Sequence, residues 1–563
     1  MRFLVVLWLF FYGISWSQGK YPQDLFDTPL DIPVLLSGTF GELRPNHFHS
    51  GIDIKTQQRE GLSVKAIANG YISRIKVSPW GFGKAVYITH ENGTYTSVYA
   101  HLQKFSPEIE SYIKALQYKK QSYEVEVYPN PEAFSLEKGV LIGYSGNTGG
   151  SQGPHLHFEI RDAAQKPLNP LLFGISVDDS TVPIVSEVYG YTLNESAQIN
   201  QSNKKVLLNL NKQPDGSFLA DKIYAEGKIG FGINTYDRQD LTINKNGVYA
   251  IKMTVNGTTY FSYDFETFSF NETRYINTLI DYSHYKTYKD RVQKLFANPP
   301  NPLSIYDQSI DDGIITVSDG FIYNVEIEVL DFHGNQQLIK IPVEGKKQTI
   351  VEKENILITD HFLRAAIDNS YDLDKASVFF PANTFYENFY INIHHTDSIL
   401  TIHDPTVPAH KNFTVTFDIS DYLDEEKQQL FIARLDEEEG LVYEGNSRRG
   451  NTISAKTRNL GQFIVTKDTI PPVVLAENFK KNQWLNNYRY LTLTIEDEQS
   501  GINDYTATID DKWVLMEYEP KNNTLTYDFN DAELKGNKHL LKVVVVDNVG
   551  NSTTFNHTFF KKD

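Results

Sequence analysis

The chain has 563 residues, 40% of them hydrophobic and 22% charged, which fits three to five globular domains with buried cores. A net charge of −18 argues against nucleic acid or anionic lipid as the main partner, since both need a basic surface. The absence of cysteine excludes disulfides, thiol nucleophiles, zinc–thiolate sites and a lipid anchor on an N-terminal cysteine. Any metal must be held by His, Asp or Glu.

At the N-terminus, Arg2 precedes an apolar run from Phe3 to Ile14 and the small residues Ser15 and Ser17. This is the layout of a secretory signal peptide over residues 1–17. The run is short for a membrane span, which needs about 20 residues. The mature protein is therefore expected to be exported, to the periplasm, the cell envelope or beyond, with no integral membrane segment.

Residues 21–177 are rich in glycine and in short runs that alternate with period two, such as VYITH and YTSVYAHL. They read as antiparallel strands and hairpins. One segment differs. SPEIESYIKALQYKKQ places Ser106 as a cap, Pro107 at the first helical position and apolar residues at helical spacing. After NPLLFGISVDDSTVP only strand patterns and turn signals are legible, as in a row of β-sandwich modules. These are placed at 182–344, 350–466 and 468–563. The last ends in LKVVVVDNVGN, where Asp547 can cap a turn and Gly550 supplies a positive φ. VEIEVLDFHGN, from Val325 to Asn335, repeats the phrase and marks the first module, which an aromatic-rich stretch, ETRYINTLIDYSHYK, enlarges. The acidic runs Asp424–Lys427 and Asp436–Glu439 of the middle module read as solvated faces. High aromatic content, 34 Tyr and 34 Phe, agrees with a mainly β chain.

Most of the informative histidines lie in the first domain. NHFHSGIDIK carries His47, His49 and Asp53; VYAHL carries His101; GPHLHFEI carries His155 and His157. Side chains two apart on a strand share a face, so the imidazoles of His155 and His157 lie side by side. A cation near them removes their mutual repulsion. Zinc held by two His and one carboxylate keeps a fourth position for water, the arrangement of catalytic sites. His49, Asp53 and one histidine of the pair supply such a set. The other, with His101, is then free to move protons. No H-E-x-x-H helix occurs, so the glutamate base of the zincins is missing.

HFHSGIDI, YAHL and GNTGGSQGPHLHFEIRD together resemble the three motifs of the lysostaphin/LytM-type zinc metallopeptidases, murein endopeptidases of the duplicated hybrid motif fold. The resemblance covers about residues 37–173. It implies an antiparallel β-sheet metallopeptidase domain, which the strand patterns extend with two to three Ig-like β-sandwich modules. It also implies one Zn2+ per chain, with His49, Asp53 and His157 as metal ligands and His101 and His155 as the catalytic pair. His47 lies outside the H-x-x-x-D spacing and reads as a supporting or surface residue; His90 is left out of the site. The substrate implied is the cross-link or bridge peptide of bacterial peptidoglycan. The segment from His101 to Gly139 is longer than in compact members and is expected to border the groove. Gly146, Gly149, Gly150 and Gly153 make a tight turn or admit an extended peptide. Two other readings compete: a non-catalytic regulator that activates another wall hydrolase, and an adhesive or envelope-binding protein whose β modules meet envelope partners.

Overall fold

The computed structural model describes residues 20–90, 93–355, 357–436 and 438–562; the run read as a signal peptide lies outside them. The chain is mainly β, with 46% strand and 8% helix. No described helix is long and apolar enough to cross a membrane.

The first domain is built on β1 (Leu36–Gly38), β2 (Ile52–Lys55), β3 (Gly70–Val77), β4 (Lys84–His90), β5 (Tyr95–Leu102), β6 (Val125–Val127) and β7 (His155–Asp162). They form one antiparallel sheet in the order β1-β2-β7-β5-β4-β3-β6. The alternation of HLHFEIRD divides β7 between two faces. Leu156, Phe158 and Ile160 point into the core with Ile52 and Ile54 of β2, all fully buried. The opposite face carries His155, His157, Glu159 and Arg161. A one-residue slip would send the histidines into the apolar core, so burial fixes the register.

Between β5 and β6 lies the expected helix, α1 (Pro107–Lys120), with Pro107 opening it, Glu108 and Glu110 in its first turn and Lys119 and Lys120 in its last. Ile109, Ile113 and Gln117 face inward. Ser106 occupies the capping position, but its hydroxyl makes no capping bond. Instead the Glu110 carboxylate accepts from the Phe105 N–H at 2.9 Å.

The next unit contains β8 (Ile184–Thr192), β9 (Ile223–Tyr236), β10 (Ala250–Val255), β11 (Thr258–Asp264), β12 (Ile322–Leu330) and β13 (Gln336–Gly345), paired in the order β8-β9-β13-β12-β10-β11. Only strand was expected here, and the structure corrects this. ETRYINTLIDYSHYK folds into a short 3-10 turn and two short helices, Ile276–Leu279 and Tyr282–Tyr288. Ile276 and Leu279 are fully buried, and the Asp281 carboxylate caps the second helix at the His284 N–H. Tertiary burial overrides the β propensity of the tyrosines and isoleucines.

Two five-stranded sheets between Asn369 and Lys467 enclose a separate core that includes Val378, Phe413, Leu400 and Phe463. A four-stranded and a five-stranded sheet between Val473 and Phe560 enclose another, with Leu493 and Leu525 facing Leu541 and Val543. The expected turn is present there: Asp547 Oδ1 accepts from the N–H groups of Val549, Gly550 and Asn551, and Gly550 has φ 100°.

The first two units share one continuous set of buried apolar side chains, from Phe26 to Val343, and Leu515 of the last module joins it. An aromatic cluster forms part of this seam. Phe48 lies 5.6 Å from Phe265 and 5.3 Å from Phe268, and Phe40 lies 5.1 Å from Phe268. Gly41 passes so close that a Cβ there would sit 2.3 Å from the Phe265 ring.

Candidate metal centre

The register of the sheet sets His157 opposite Asp53 on β2 and opposite Ala100 on β5. His49 enters from the segment just before β2. His49 Nε2, His157 Nδ1 and Asp53 Oδ1 lie 3.0 Å from one another. Ligand atoms about 2.0–2.1 Å from a tetrahedral zinc stand roughly 3.3 Å apart. All three residues are buried.

The remaining bonds of these groups define what faces the centre. His49 Nδ1 donates to the Thr39 carbonyl at 2.7 Å. His157 Nε2 donates to Glu159 at 2.9 Å. Each ring therefore spends its proton outward and turns a lone pair toward Asp53, whose Oδ2 accepts from Arg44 at 3.1 Å. Three electron-rich atoms facing one another could hold a cation, and two imidazoles with one carboxylate suit zinc. Burial opposes charge on Asp53, yet His49, His155 and His157 around it hold its carboxyl well below the usual range.

Glu159 is fully buried. Burial works against its charge, but Arg161 and His157 bring its carboxyl down to about 2. It accepts from His157, from Arg161 Nε at 2.6 Å and from Ser50 Oγ at 2.5 Å. No role for Glu159 is apparent in the motifs, although the alternation of β7 puts it on the face of His157. Thr39, Arg44 and Ser50 also gave no sequence signal, since their roles depend on contacts across the fold.

His101 and His155 flank the centre, their rings 4.8 Å apart. His155 Nδ1 is tied to the Gly153 carbonyl at 2.8 Å and to Ser151 Oγ at 3.1 Å, and its Nε2 lies 3.4 Å from Asp53. His101 Nδ1 donates to the Thr148 carbonyl at 2.8 Å. Burial, then the nearby His157 and His155, push His101 down to about 3, so it is neutral. Its backbone has φ 58°, a left-handed conformation that strains a non-glycine residue. Phe82 walls the site 4.9 Å from the His157 ring.

The Gly-rich run before β7 thus anchors both flanking histidines. A Cβ on Gly146 would lie 2.2 Å from Gln103 N, and one on Gly149 2.4 Å from the Gly81 carbonyl. Close packing requires glycine at both. His47 is exposed, and its ring meets the Pro45 carbonyl. His90 ends β4 in a buried position between the Asn69 carbonyl and Ser97, far from catalysis in its bonding.

The last module reaches this loop. Lys521 Nζ donates to the carbonyls of Asn147 and Ser151. Buried Lys84 pairs with Glu517 at 2.8 Å, Lys114 of α1 pairs with Asp531, and Tyr118 meets Trp513 edge-on at 5.3 Å.

Residues 47–118, which hold His49, Asp53 and His101, match the family described as Peptidase family M23, and residues 360–468 match the Zu5-like domain. The chain is 35% identical over 133 residues to DD-carboxypeptidase/endopeptidase Mpg of Neisseria meningitidis serogroup B, covering 24% of each protein. It is 30% identical over 185 residues to an uncharacterized metalloprotease of Haemophilus influenzae, covering 30% of this chain and 33% of that protein. Lysostaphin of Staphylococcus simulans is 31% identical over 111 residues, 20% of this chain and 17% of that protein. The chain thus spans a third or less of the length of these relatives. Among solved structures, the catalytic domain of lysostaphin from S. simulans aligns at 25% identity with a TM-score of 0.19, over 25% of this chain and 93% of that one. The chain carries an N-terminal peptidase family M23 domain, followed by β-sheet modules that include a Zu5-like domain.

Proposed function

We propose that the chain is an exported zinc-dependent endopeptidase that hydrolyses peptide cross-links of bacterial peptidoglycan, with His49, Asp53 and His157 as metal ligands and His101 and His155 as the catalytic pair. The observation that carries this reading is the convergence of three ligand atoms at 3.0 Å beside two imidazoles, each held through Nδ1 by a backbone carbonyl. Relatives named as endopeptidases support the reaction class.

Bound zinc supplies a Lewis acid that polarises the scissile carbonyl and lowers the pKa of water. The chain's own groups handle the protons. His155, with Nδ1 tethered to Gly153, accepts the water proton at Nε2 as the C–O bond forms. His101 faces the same space from the other side. Once either ring is charged, its Nε2–H can donate to the developing oxyanion or to the leaving amine as the C–N bond breaks. Burial of the ligands and the Phe82 wall limit water around the reacting atoms. The β modules buttress the domain and hold it in the envelope.

The test is digestion of purified peptidoglycan by the zinc-loaded protein, by His155→Ala and by a chelated sample, with chromatography of the released muropeptides. The expected result is loss of cross-linked dimers with the zinc-loaded wild type alone. Intact wall material with the zinc-loaded wild type, its zinc still bound, would replace the enzyme reading by that of a regulator.

A further inference from the structure

We propose that Asp179, Asp237 and Asp331 bind a hard divalent cation of the calcium class at the seam between the peptidase domain and the β module that follows it. Asp179 lies in the connecting segment before β8. Asp237 directly follows β9, and Asp331 directly follows β12. One ligand atom from each of Asp179, Asp331 and His333 lies within 4.8 Å of the others. Asp179, Asp237, Asn246 and His333 line one cavity together with Thr39 and Leu36 of the peptidase domain.

Two further observations point to a ligand. Asp237 is 5% exposed and Asn246 3%, yet Asp237 Oδ1 and Asn246 Oδ1 find no hydrogen-bond partner among the described residues. Buried oxygens without donors are costly, and more so beside other anions. Burial first, then the charges of Asp179 and Asp331, push the Asp237 carboxyl up to about 7. The three carboxylates and the Asn246 amide offer oxygen ligands, the preference of hard cations, with exposed His333 beside them.

The last module provides an internal control. Asp468, Asp497 and Asp547 form a related group of three carboxylates. Asn551 Nδ2 bridges Asp547 and the Asp468 carbonyl there, as Asn335 Nδ2 bridges Asp331 and the Asp179 carbonyl at the seam. The two differ at the third aspartate. Asp497 Oδ1 accepts from the Gly501 N–H at 2.7 Å. The matching position after Asp237 is Leu241, which turns outward at 91% exposure and leaves Asp237 Oδ1 without a donor. The last module satisfies its carboxylate with backbone; the seam leaves a place for an ion.

Occupancy would act on the peptidase through the loop from Asp237 to Gly247. The Gln239 side chain accepts from Leu36 N–H and donates to the Val34 carbonyl. The Gly247 N–H donates to Thr39 Oγ1 at 3.0 Å. Thr39 is the residue whose carbonyl orients His49. The cation would therefore fix the loop that holds the strand next to a metal ligand.

The experiment uses the full zinc-loaded chain, so that the catalytic centre is filled, dialysed free of calcium. Calcium chloride is titrated calorimetrically, and thermal unfolding is followed with and without about 5 mM calcium, above the millimolar range of extracellular calcium modules. The expected result is a rise of about 2–4 °C in Tm for the wild type. Asp237→Asn should bind one ion fewer, or bind it at least about tenfold more weakly, and lose the rise. Asp179→Asn, at a less buried position, should do the same and carries the test if Asp237→Asn does not fold. Calcium that leaves the wild-type Tm unchanged, or variants that keep the wild-type stoichiometry and shift, would overturn the proposal; the seam would then hold a shared proton.

Discussion

Glu159 holds three donors on one buried carboxylate: His157, Arg161 and Ser50. Its effect on the metal is indirect, through the tautomer and tilt of the His157 ring. Glu159→Gln keeps the volume but removes the charge that orients the ring. Zinc affinity should fall by about 10- to 100-fold, measured by competition with a chromogenic chelator. An unchanged affinity would reduce Glu159 to a packing role. At this scale the sequence was informative about the five central residues. Asp53, the lone His of YAHL and H-x-H sit on strands whose alternation is local, and His49 lies just before one of them. Thr39 and Thr148 gave no signal, because a threonine carbonyl acquires its role only when separate segments meet.

At the level of elements, β7 is the strand on which the centre depends, and the aromatic seam supports its surroundings. Phe48 directly precedes His49, and it packs on Phe265 and Phe268 of the neighbouring unit. Phe268 is fully buried. Phe268→Ala should cost about 3–5 kcal/mol, read from urea unfolding. Because the lost ring backs the segment that carries His49, zinc affinity should weaken with it. Normal zinc binding in a destabilised variant would show that the seam serves stability alone. The strands of β7, β5 and the last module were legible from alternation and turn residues. The helices at Ile276–Leu279 and Tyr282–Tyr288 were not. With 4 and 7 residues they are too short for a clear period, and their residues favour strand when taken in isolation.

Two contacts hold the peptidase domain in the whole molecule: the seam that follows it and the return of the last module onto it. Leu515 completes the core shared by the first two units, and Glu517 neutralises the buried Lys84. Removal of residues 468–563 should therefore lower the Tm of the peptidase domain and expose the loop of residues 145–153 to proteolysis. Limited proteolysis with mass mapping, beside calorimetry, checks both. A truncated protein with the Tm and cleavage pattern of the full chain would make the return contact incidental. No sequence pattern announces this contact, since complementary charges hundreds of residues apart carry no local period.

The reach of Lys521 also has a consequence in time. The ammonium that grips the loop of Asn147 and Ser151 is encoded 370 residues after Ser151. At about 5–20 residues per second, that loop waits roughly 20–70 s for its partner during synthesis. Chain order thus delays the assembly of the catalytic loop, and a prematurely ended chain would lack the grip altogether.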